Sequence, residues 1–227
     1  MKDFDVVVIG AGPAGYAGAI RCAQYGLKTA IIEKEYFGGT CLNVGCIPSK
    51  ALIHATKTLD HIRHSDVMGI SSGTPKVDVK KMMSWKSGVV EKLTTGVKSL
   101  LKANKVEVIN GLGRFVDKHT LEVNGEKIKF KNAIIATGSV VSELPFAKTD
   151  GKTILNSTHA LSLQEIPKKL VVIGAGFIGM EIGMVYAKLG SSVTVIEKFG
   201  EVLPGTDRDC VKLVEKSAKN LGIEIKL

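Results

Sequence analysis

A chain of 227 residues, 44% apolar and 23% charged, has the composition of an ordinary soluble globular protein with one large core or two small ones. No apolar run approaches the roughly 20 residues of a membrane span. No signal peptide or Arg-rich presequence precedes the first apolar run, and four cysteines without a secretion signal argue against a disulfide scaffold. A cytoplasmic setting, or a mature form after processing, is the expectation.

The chain opens on the first copy of an internal repeat. Residues 7–34 read VVIGAGPAGYAGAIRCAQYGLKTAIIEK, and residues 171–198 read VVIGAGFIGMEIGMVYAKLGSSVTVIEK, aligned without a gap at an offset of 164. Each copy is an apolar run, a glycine-rich turn, a helix-length stretch, a second apolar run and an acid. That is the strand–turn–helix–strand unit of a dinucleotide site. Gly10 and Gly174 permit the tight turn, Gly12 and Gly176 leave room for a pyrophosphate, and Gly15 and Gly179 let the helix pack on its strand. The helix N-terminus then faces the phosphates. Glu33 and Glu197, each 23 residues after the first glycine, stand where a carboxylate accepts hydrogen bonds from a ribose.

After the first acid comes Gly38-Gly39-Thr40-Cys41-Leu42-Asn43-Val44-Gly45-Cys46-Ile47-Pro48-Ser49-Lys50, with helix expected over 41–64 after an irregular start. Five residues of ideal helix place Cα atoms roughly 8–9 Å apart, and a disulfide needs no more than about 7 Å. Cys41 and Cys46 therefore meet only if the helix is distorted, for which Asn43, Gly45 and Pro48 supply the means. A bridge closing so short a loop adds little stability, which favours redox use over structure. The alternatives are two reduced buried thiols or part of a metal site. Without a second cysteine pair or a histidine at ligand spacing, no metal is expected. Cys22 and Cys210 read as small core residues.

Pro75 opens a linker into a second helix near 79–103. Lys76–Lys105 holds eight lysines against Asp78 and Glu91, much of the formal charge of +9. Met82, Met83, Val89, Val90, Leu93, Val97, Leu100 and Leu101 recur there at helical spacing, so the lysines read as a solvated face. No nucleic-acid motif or aromatic interleaving accompanies them, and neither nucleic acid nor membrane is an expected partner. Short strands follow near 105–109, 112–116, 119–123, 127–130 and 132–136, with Asn124-Gly125 a hairpin turn. After the second repeat, a helix near 207–220 leads to a strand at 223–227. The fold class expected is α/β with two Rossmann-like units, the second incomplete: residues 1–150, then 151–227 as half of a second domain.

GGTCLNVGCIPSK resembles the active-disulfide signature of the pyridine nucleotide–disulfide oxidoreductases, in the form typical of the dihydrolipoamide dehydrogenase family. Ala136-Thr137-Gly138 resembles that family's second flavin-contact motif, and Glu181 within GxGxxGxExG fits it as well. The similarity extends over essentially all 227 residues.

The resemblance implies that the first unit binds FAD through Gly10, Gly12, Ala14, Gly15, Glu33 and Lys34, with Gly39, Thr40, Gly113, Thr137, Gly138 and Ser139 adding flavin contacts. It makes Cys46 the thiolate nearest the flavin and Cys41 the one that exchanges with substrate. Lys50, paired with Glu181, lies by the flavin ring. The second unit binds NAD through Gly174, Gly176, Phe177, Ile178, Gly179 and Glu197, an acid without an arginine cluster being unfavourable to the 2′-phosphate of NADP.

The activity implied is oxidation of protein-linked dihydrolipoamide with NAD+. Partners would be a lipoyl-bearing acyltransferase of a 2-oxo acid dehydrogenase complex or a glycine-cleavage carrier protein, with a homodimer in the full-length form. The family's acid–base histidine and glutamate belong to a C-terminal interface domain absent from this chain, so the chain alone is expected to be inactive with lipoamide. His54, His61, His64, His119 and His159 read as surface residues. Three alternatives remain: a glutathione reductase type, which typically has lysine at position 49 instead of Ser49; a mercuric reductase type; and a non-catalytic nucleotide-binding fragment.

Overall fold

The computed structural model describes residues 2–227. The first strand, β1 (Lys2–Ile9), is buried from Val6 onward, as a near-continuous apolar run demands of a parallel strand covered on both faces. It leads through Gly10-Ala11-Gly12 into α1 (Pro13–Gln24), whose first position is a proline that lacks only an N–H without a helical partner. β2 (Thr29–Glu33), α2 (Gly39–Val44) and α3 (Cys46–Arg63) follow. After a 3-10 turn at Ser65–Met68 comes the long helix α4 (Val79–Ala103), where the helical spacing of its apolar residues places it. Then come β3 (Glu107–Asn110), β4 (Arg114–Asp117), β5 (Thr120–Val123) and β6 (Glu126–Ile135).

Residues 126–135 form one strand where two short ones were expected. Its first half pairs antiparallel with β5, and from Ile128 it runs parallel to β1. The charge at Lys131 does not interrupt it, because the ammonium reaches Asp5 Oδ1 at 2.7 Å on the exposed side. Asn124 (φ +53) and Gly125 (φ +81) make the turn between β5 and β6 as predicted.

These six strands form one sheet in the order β3-β2-β1-β6-β5-β4. The chain moves from β1 outward to β2 and β3, then returns to place β6 on the other side of β1. The strand order therefore reverses between β1 and β6, the place where open α/β sheets bind ligands at their carboxyl ends. One core lies under α1, α2 and α4 around Val8, Ile31 and Leu101, and the other lies under the antiparallel strands around Val7, Ile32 and Leu121.

The remaining elements are α5 (Ser157–Ala160), β7 (Lys169–Ile173), α6 (Phe177–Leu189), β8 (Ser192–Ile196), α7 (Arg208–Asn220) and β9 (Glu224–Lys226). β7, β8 and β9 form a parallel three-stranded sheet in that order. This is the strand–helix–strand–helix–strand half that the second repeat predicts.

The chain packs as two compact units, and both are discontinuous. One comprises the residues up to Ile47 with Gly88–Ser142, the other Pro48–Ser87 with Glu143–Leu227. Packing thus departs from the contiguous division at residue 150. Leu52 and Leu59 of α3 and Met83 of α4 belong to the core that holds Met180, Tyr186 and Val195, so these helical stretches go with the second unit.

Lys86 departs from the solvated lysine face. It is 7% exposed, and its ammonium donates to the Leu161 carbonyl at 3.0 Å. Burial holds its pKa below the usual lysine value. Tyr186, also buried, donates its hydroxyl to the adjacent Ala160 carbonyl at 2.5 Å, and burial pushes that hydroxyl up to about 12. Two successive carbonyls at the end of α5 are thereby satisfied, where each left unpaired would cost about 1–3 kcal/mol.

Because the folded chain releases the Lys86 proton at lower pH than the unfolded chain does, the burial cost is present in full below the folded value. It is relieved as pH rises toward 10.5. The melting temperature of the unmutated chain relative to Lys86→Met is therefore expected to rise with pH across that window. Calorimetric curves for the two proteins that stay parallel would contradict this.

Candidate functional site

The first glycine loop sits where the strand order reverses. Gly10 adopts φ +99, and a Cβ there would run into the Ala136 carbonyl oxygen, with its carbon at 2.8 Å and Thr137 Cα at 3.2 Å. Only glycine lets this turn lie against the backbone leaving β6. The exposed segment Thr137–Ser139, with Gly138 at φ +69, thereby comes beside the loop. A Cβ on Gly15 would run into the Gly10 carbonyl, so α1 packs directly on the turn.

Gly12 differs, because its Cβ would meet nothing nearer than Gly39 Cα at 3.7 Å. Gly39 itself (φ +63) lies closer still, its own missing Cβ 2.5 Å from Gly12 Cα. Gly113 lies against Ile32 and Ile9, whose side chains stand 3.5 to 3.9 Å from its missing Cβ. The glycines at 10, 12, 39 and 113 with Thr137 thus converge on one end of the sheet. The first turn of α1, which carries Ala14, has no acidic residue and no side-chain cap. Its N–H groups and positive dipole end stay available to an anion.

Glu33 anchors this loop. Its Oε2 accepts from Ala11 N at 2.7 Å, and its Oε1 accepts from Glu35 N at 2.8 Å and Tyr36 N at 3.2 Å. Lys34, beside it, is exposed.

The second unit repeats the main features of this arrangement. Gly174 (φ +105) turns the chain, and a Cβ on Gly179 would run into the Gly174 carbonyl. Gly176 faces open space, and α6 begins without an acid in its first turn. Glu197 Oε2 accepts from Ala175 N at 2.7 Å and Oε1 from Phe199 N at 2.9 Å. The Phe199 and Ala175 N–H groups, in that order, hold this carboxyl below the usual glutamate range. Phe177 and Ile178, 66% and 62% exposed, project at the start of α6, where a large apolar side chain has no reason to be bare unless something covers it. The geometry at both loops suits a dinucleotide diphosphate, with the residues nearest the helix N-termini lacking the side chains that would fill its place.

The cysteine segment shows the distortion that the spacing requires. Gly45, at φ −136 and ψ −111, separates α2 from α3. Its missing Cβ lies 2.9 Å from the Thr40 carbonyl oxygen and 3.4 Å from Cys41 Cα, so the chain folds back toward Cys41 just before Cys46. Asn43 stabilises the bend by donating to the Phe37 and Gly39 carbonyls at 3.0 and 2.8 Å. Pro48 falls on the third residue of α3, where its missing N–H costs no helical bond. Thr40 and Cys46 are exposed, and Cys41 is half-buried.

In the second unit, Lys50 Nζ reaches Glu181 Oε1 at 2.5 Å, and Ser49 donates to Glu181 Oε2 at 3.3 Å. The two side chains are 58% and 34% exposed, so the pair adds only about 0–1 kcal/mol of stability. The contact holds the Lys50 ammonium beside Glu181. Ser49, which is buried, is the member that the motif reading left without a role. The signal available was its place next to Lys50, since a carboxylate has a second oxygen to satisfy.

His54, His61, His64 and His119 are exposed, as expected. His159 is not a plain surface residue, because its backbone N–H and ring close a capping box with Asn156. Cys22 packs against the first core, but Cys210 is exposed on the outer side of α7 rather than buried. Among the described residues no group of three or more His, Cys, Asp or Glu is arranged to hold a metal ion, and no helix is long and apolar enough to cross a membrane.

The same architecture is found in the HOCl-induced flavoprotein disulfide reductase RclA from Escherichia coli. That structure is 31% identical, with a TM-score of 0.82 over 97% of this chain and 48% of that one. The fold is therefore that of the flavoprotein disulfide reductases. The family model for pyridine nucleotide-disulphide oxidoreductases matches residues 4–227, and the chain belongs to that family.

Among curated relatives, the dihydrolipoyl dehydrogenase of Geobacillus stearothermophilus is 50% identical over 97% of this chain and 48% of its own length. That of Bacillus subtilis is 51% identical over 96% and 47%, and that of Thermus scotoductus 46% identical over 100% and 49%. The chain spans about half the length of the curated relatives it matches.

Proposed function

We propose that this chain is the cofactor-binding portion of an NAD-dependent dihydrolipoyl dehydrogenase. Residues 1–150 would hold FAD beside a redox-active cysteine pair, and residues 151–227 would contribute half of the NAD site. One observation carries the reading: two glycine loops with the same acid clamp, of which the first touches the very segment that starts the cysteine helix, Gly39 against Gly12. The curated relatives' names point the same way.

Gly10, Gly12, Ala14, Gly15 and Glu33, with Lys34, would seat the FAD adenosine diphosphate, and Gly39, Thr40, Gly113 and Thr137–Ser139 its flavin half. FAD, when bound, supplies a two-electron relay between a dithiol and a nicotinamide. The protein's own groups do the rest. A substrate thiolate attacks Cys41 of the oxidised pair, breaking the Cys41–Cys46 bond and leaving Cys46 as thiolate. The second substrate thiol then displaces Cys41, so the substrate leaves as a cyclic disulfide and both cysteines are reduced.

Lys50, oriented by Glu181 and Ser49, presents a fixed cation that stabilises developing negative charge. Gly174, Gly176, Phe177, Ile178, Gly179 and Glu197 would hold NAD. Lipoyl-bearing carriers as partners, a homodimer and a cytoplasmic setting complete the reading.

In the FAD-loaded chain, dihydrolipoamide is expected to reduce the cysteine pair stoichiometrically, and iodoacetamide is expected to alkylate Cys41 faster than Cys46, because the bound flavin would cover Cys46, which is otherwise the more exposed. Equilibrium titration is expected to show NAD bound more tightly than NADP, with Glu197→Ala narrowing the gap mainly by weakening NAD. Reduction by glutathione in place of dihydrolipoamide, together with equal affinity for the two nucleotides, would overturn the reading.

A further inference from the structure

Both loop acids are at work before any nucleotide arrives. In each unit one carboxylate oxygen takes the N–H of the residue between the first two glycines, Ala11 or Ala175, and the other takes an N–H two residues downstream, that of Glu35 or Phe199. The donors are backbone groups, so the pattern survives the change from Glu35 to Phe199. The same small residue is held from its other side too. The Ala11 carbonyl accepts from Gly38 N at 2.8 Å, and the Ala175 carbonyl from Leu203 N at 3.0 Å. Ala11 and Ala175 are fully buried. A turn rich in glycine is costly to order, and here every peptide group of its middle residue is tied down.

We propose that Glu197 is a positioning residue for the nucleotide diphosphate as well as an acceptor for ribose: its carboxylate ties Ala175 to the end of β8 and so fixes the Gly174–Gly176 turn that aims the N-terminus of α6 at the phosphates. A carboxylate has about four lone-pair positions, so two backbone bonds leave acceptors for a ribose. Glu33 does the same in the first unit. The inference rests on the second unit being a nucleotide site.

The two roles predict opposite signs for a ligand without ribose hydroxyls. If Glu197 only accepted from ribose, its removal would take a negative charge away from the phosphates and leave 2′,3′-dideoxy-ADP bound equally well or better. A loop clamp demands the reverse. Calorimetric titration of the full chain is expected to show Glu197→Ala weakening both ADP and 2′,3′-dideoxy-ADP by at least about tenfold, the scale of one lost charge-assisted hydrogen bond. Glu197→Gln, which keeps one acceptor oxygen, is expected to fall between.

Hydrogen exchange of the unmutated chain without nucleotide gives a measurement independent of any variant's folding. The Ala175 and Phe199 amides are expected to be protected well beyond those of an open loop. ADP weakened by Glu197→Ala with dideoxy-ADP unaffected would overturn the clamp and leave the nucleotide site standing, and so would rapid exchange at both amides. No binding of ADP by the unmutated chain would overturn the nucleotide site and the clamp with it.

Discussion

Gly15→Ala is expected to lower the melting temperature by about 6–12 °C, whereas Gly12→Ala is expected to melt with the unmutated FAD-free chain and to bind FAD far more weakly. The two glycines stand three residues apart, Gly12 at the cap of α1 and Gly15 inside its first turn, yet the space around them differs. A methyl group on Gly15 meets the Gly10 carbonyl, with the carbonyl carbon at 2.9 Å, and backbone on both sides prevents either from giving way. α1 has to lift from β1 to make room. Overpacking of this kind costs typically 1–3 kcal/mol, and a contact with backbone belongs at the upper end. At about 2–4 °C per kcal/mol for a chain of this size, that yields the shift stated.

A methyl group on Gly12 meets only Gly39 Cα at 3.7 Å, an ordinary contact, but stands where the diphosphate would approach. Flavin fluorescence titration should show at least about a hundredfold loss of affinity there, a displaced phosphate contact being worth roughly 3 kcal/mol. Normal FAD binding by Gly12→Ala would remove the phosphate cradle from the first loop. An unchanged melting temperature for Gly15→Ala would mean that α1 is free to shift.

Two-electron reduction of the FAD-loaded chain should produce a long-wavelength absorbance band that Cys46→Ser abolishes and Cys41→Ser keeps. Such a band needs a thiolate in contact with the flavin ring, and the bend at Gly45 gives the two cysteines different surroundings. Cys46 opens α3 and is exposed. Cys41 lies inside α2, a turn earlier, and is the more buried of the two. The effect is all-or-none rather than graded, since serine supplies no thiolate. A band that vanished in Cys41→Ser and survived in Cys46→Ser would exchange the two roles.

The repeat made the local geometry of both glycine loops legible in advance. Two copies in register already specify the turn, the helix, the strand and the acid, and the glycine contacts at positions 10, 15 and 179 are what those residue types require. The bend between Cys41 and Cys46 was legible for a similar reason, because a length of five residues is incompatible with ideal helix. Other features depended on partners far along the chain. Nothing local marks Lys86 as the buried lysine among eight, since its burial is set by the Leu161 carbonyl 75 residues away. The continuity of β6 through Lys131 depends on Asp5, and the second role of Glu197 on where Ala175 N points. Cys210 was misplaced because helical spacing fixes a residue's face only when the buried side of that helix is known.

The crossings of the chain between its units at residues 47–48, 87–88 and 142–143 bear on how the molecule comes to be folded. Neither unit is finished when its first stretch leaves the ribosome. Leu52, Leu59 and Met83 are made early, but the residues that complete their core, from Ala160 to Ile223, come only after the whole of Gly88–Ser142 has been added. Until then their apolar faces lack native cover, a window in which nascent chains aggregate or call on chaperones. The first unit is similarly open until β6 fills the gap beside β1. Such long-range closures slow folding more than they weaken the finished state. The arrangement that builds two glycine loops on two sheets therefore places its burden on synthesis, the first unit closing only once β6 has been made and the second only once the residues up to Ile223 have followed.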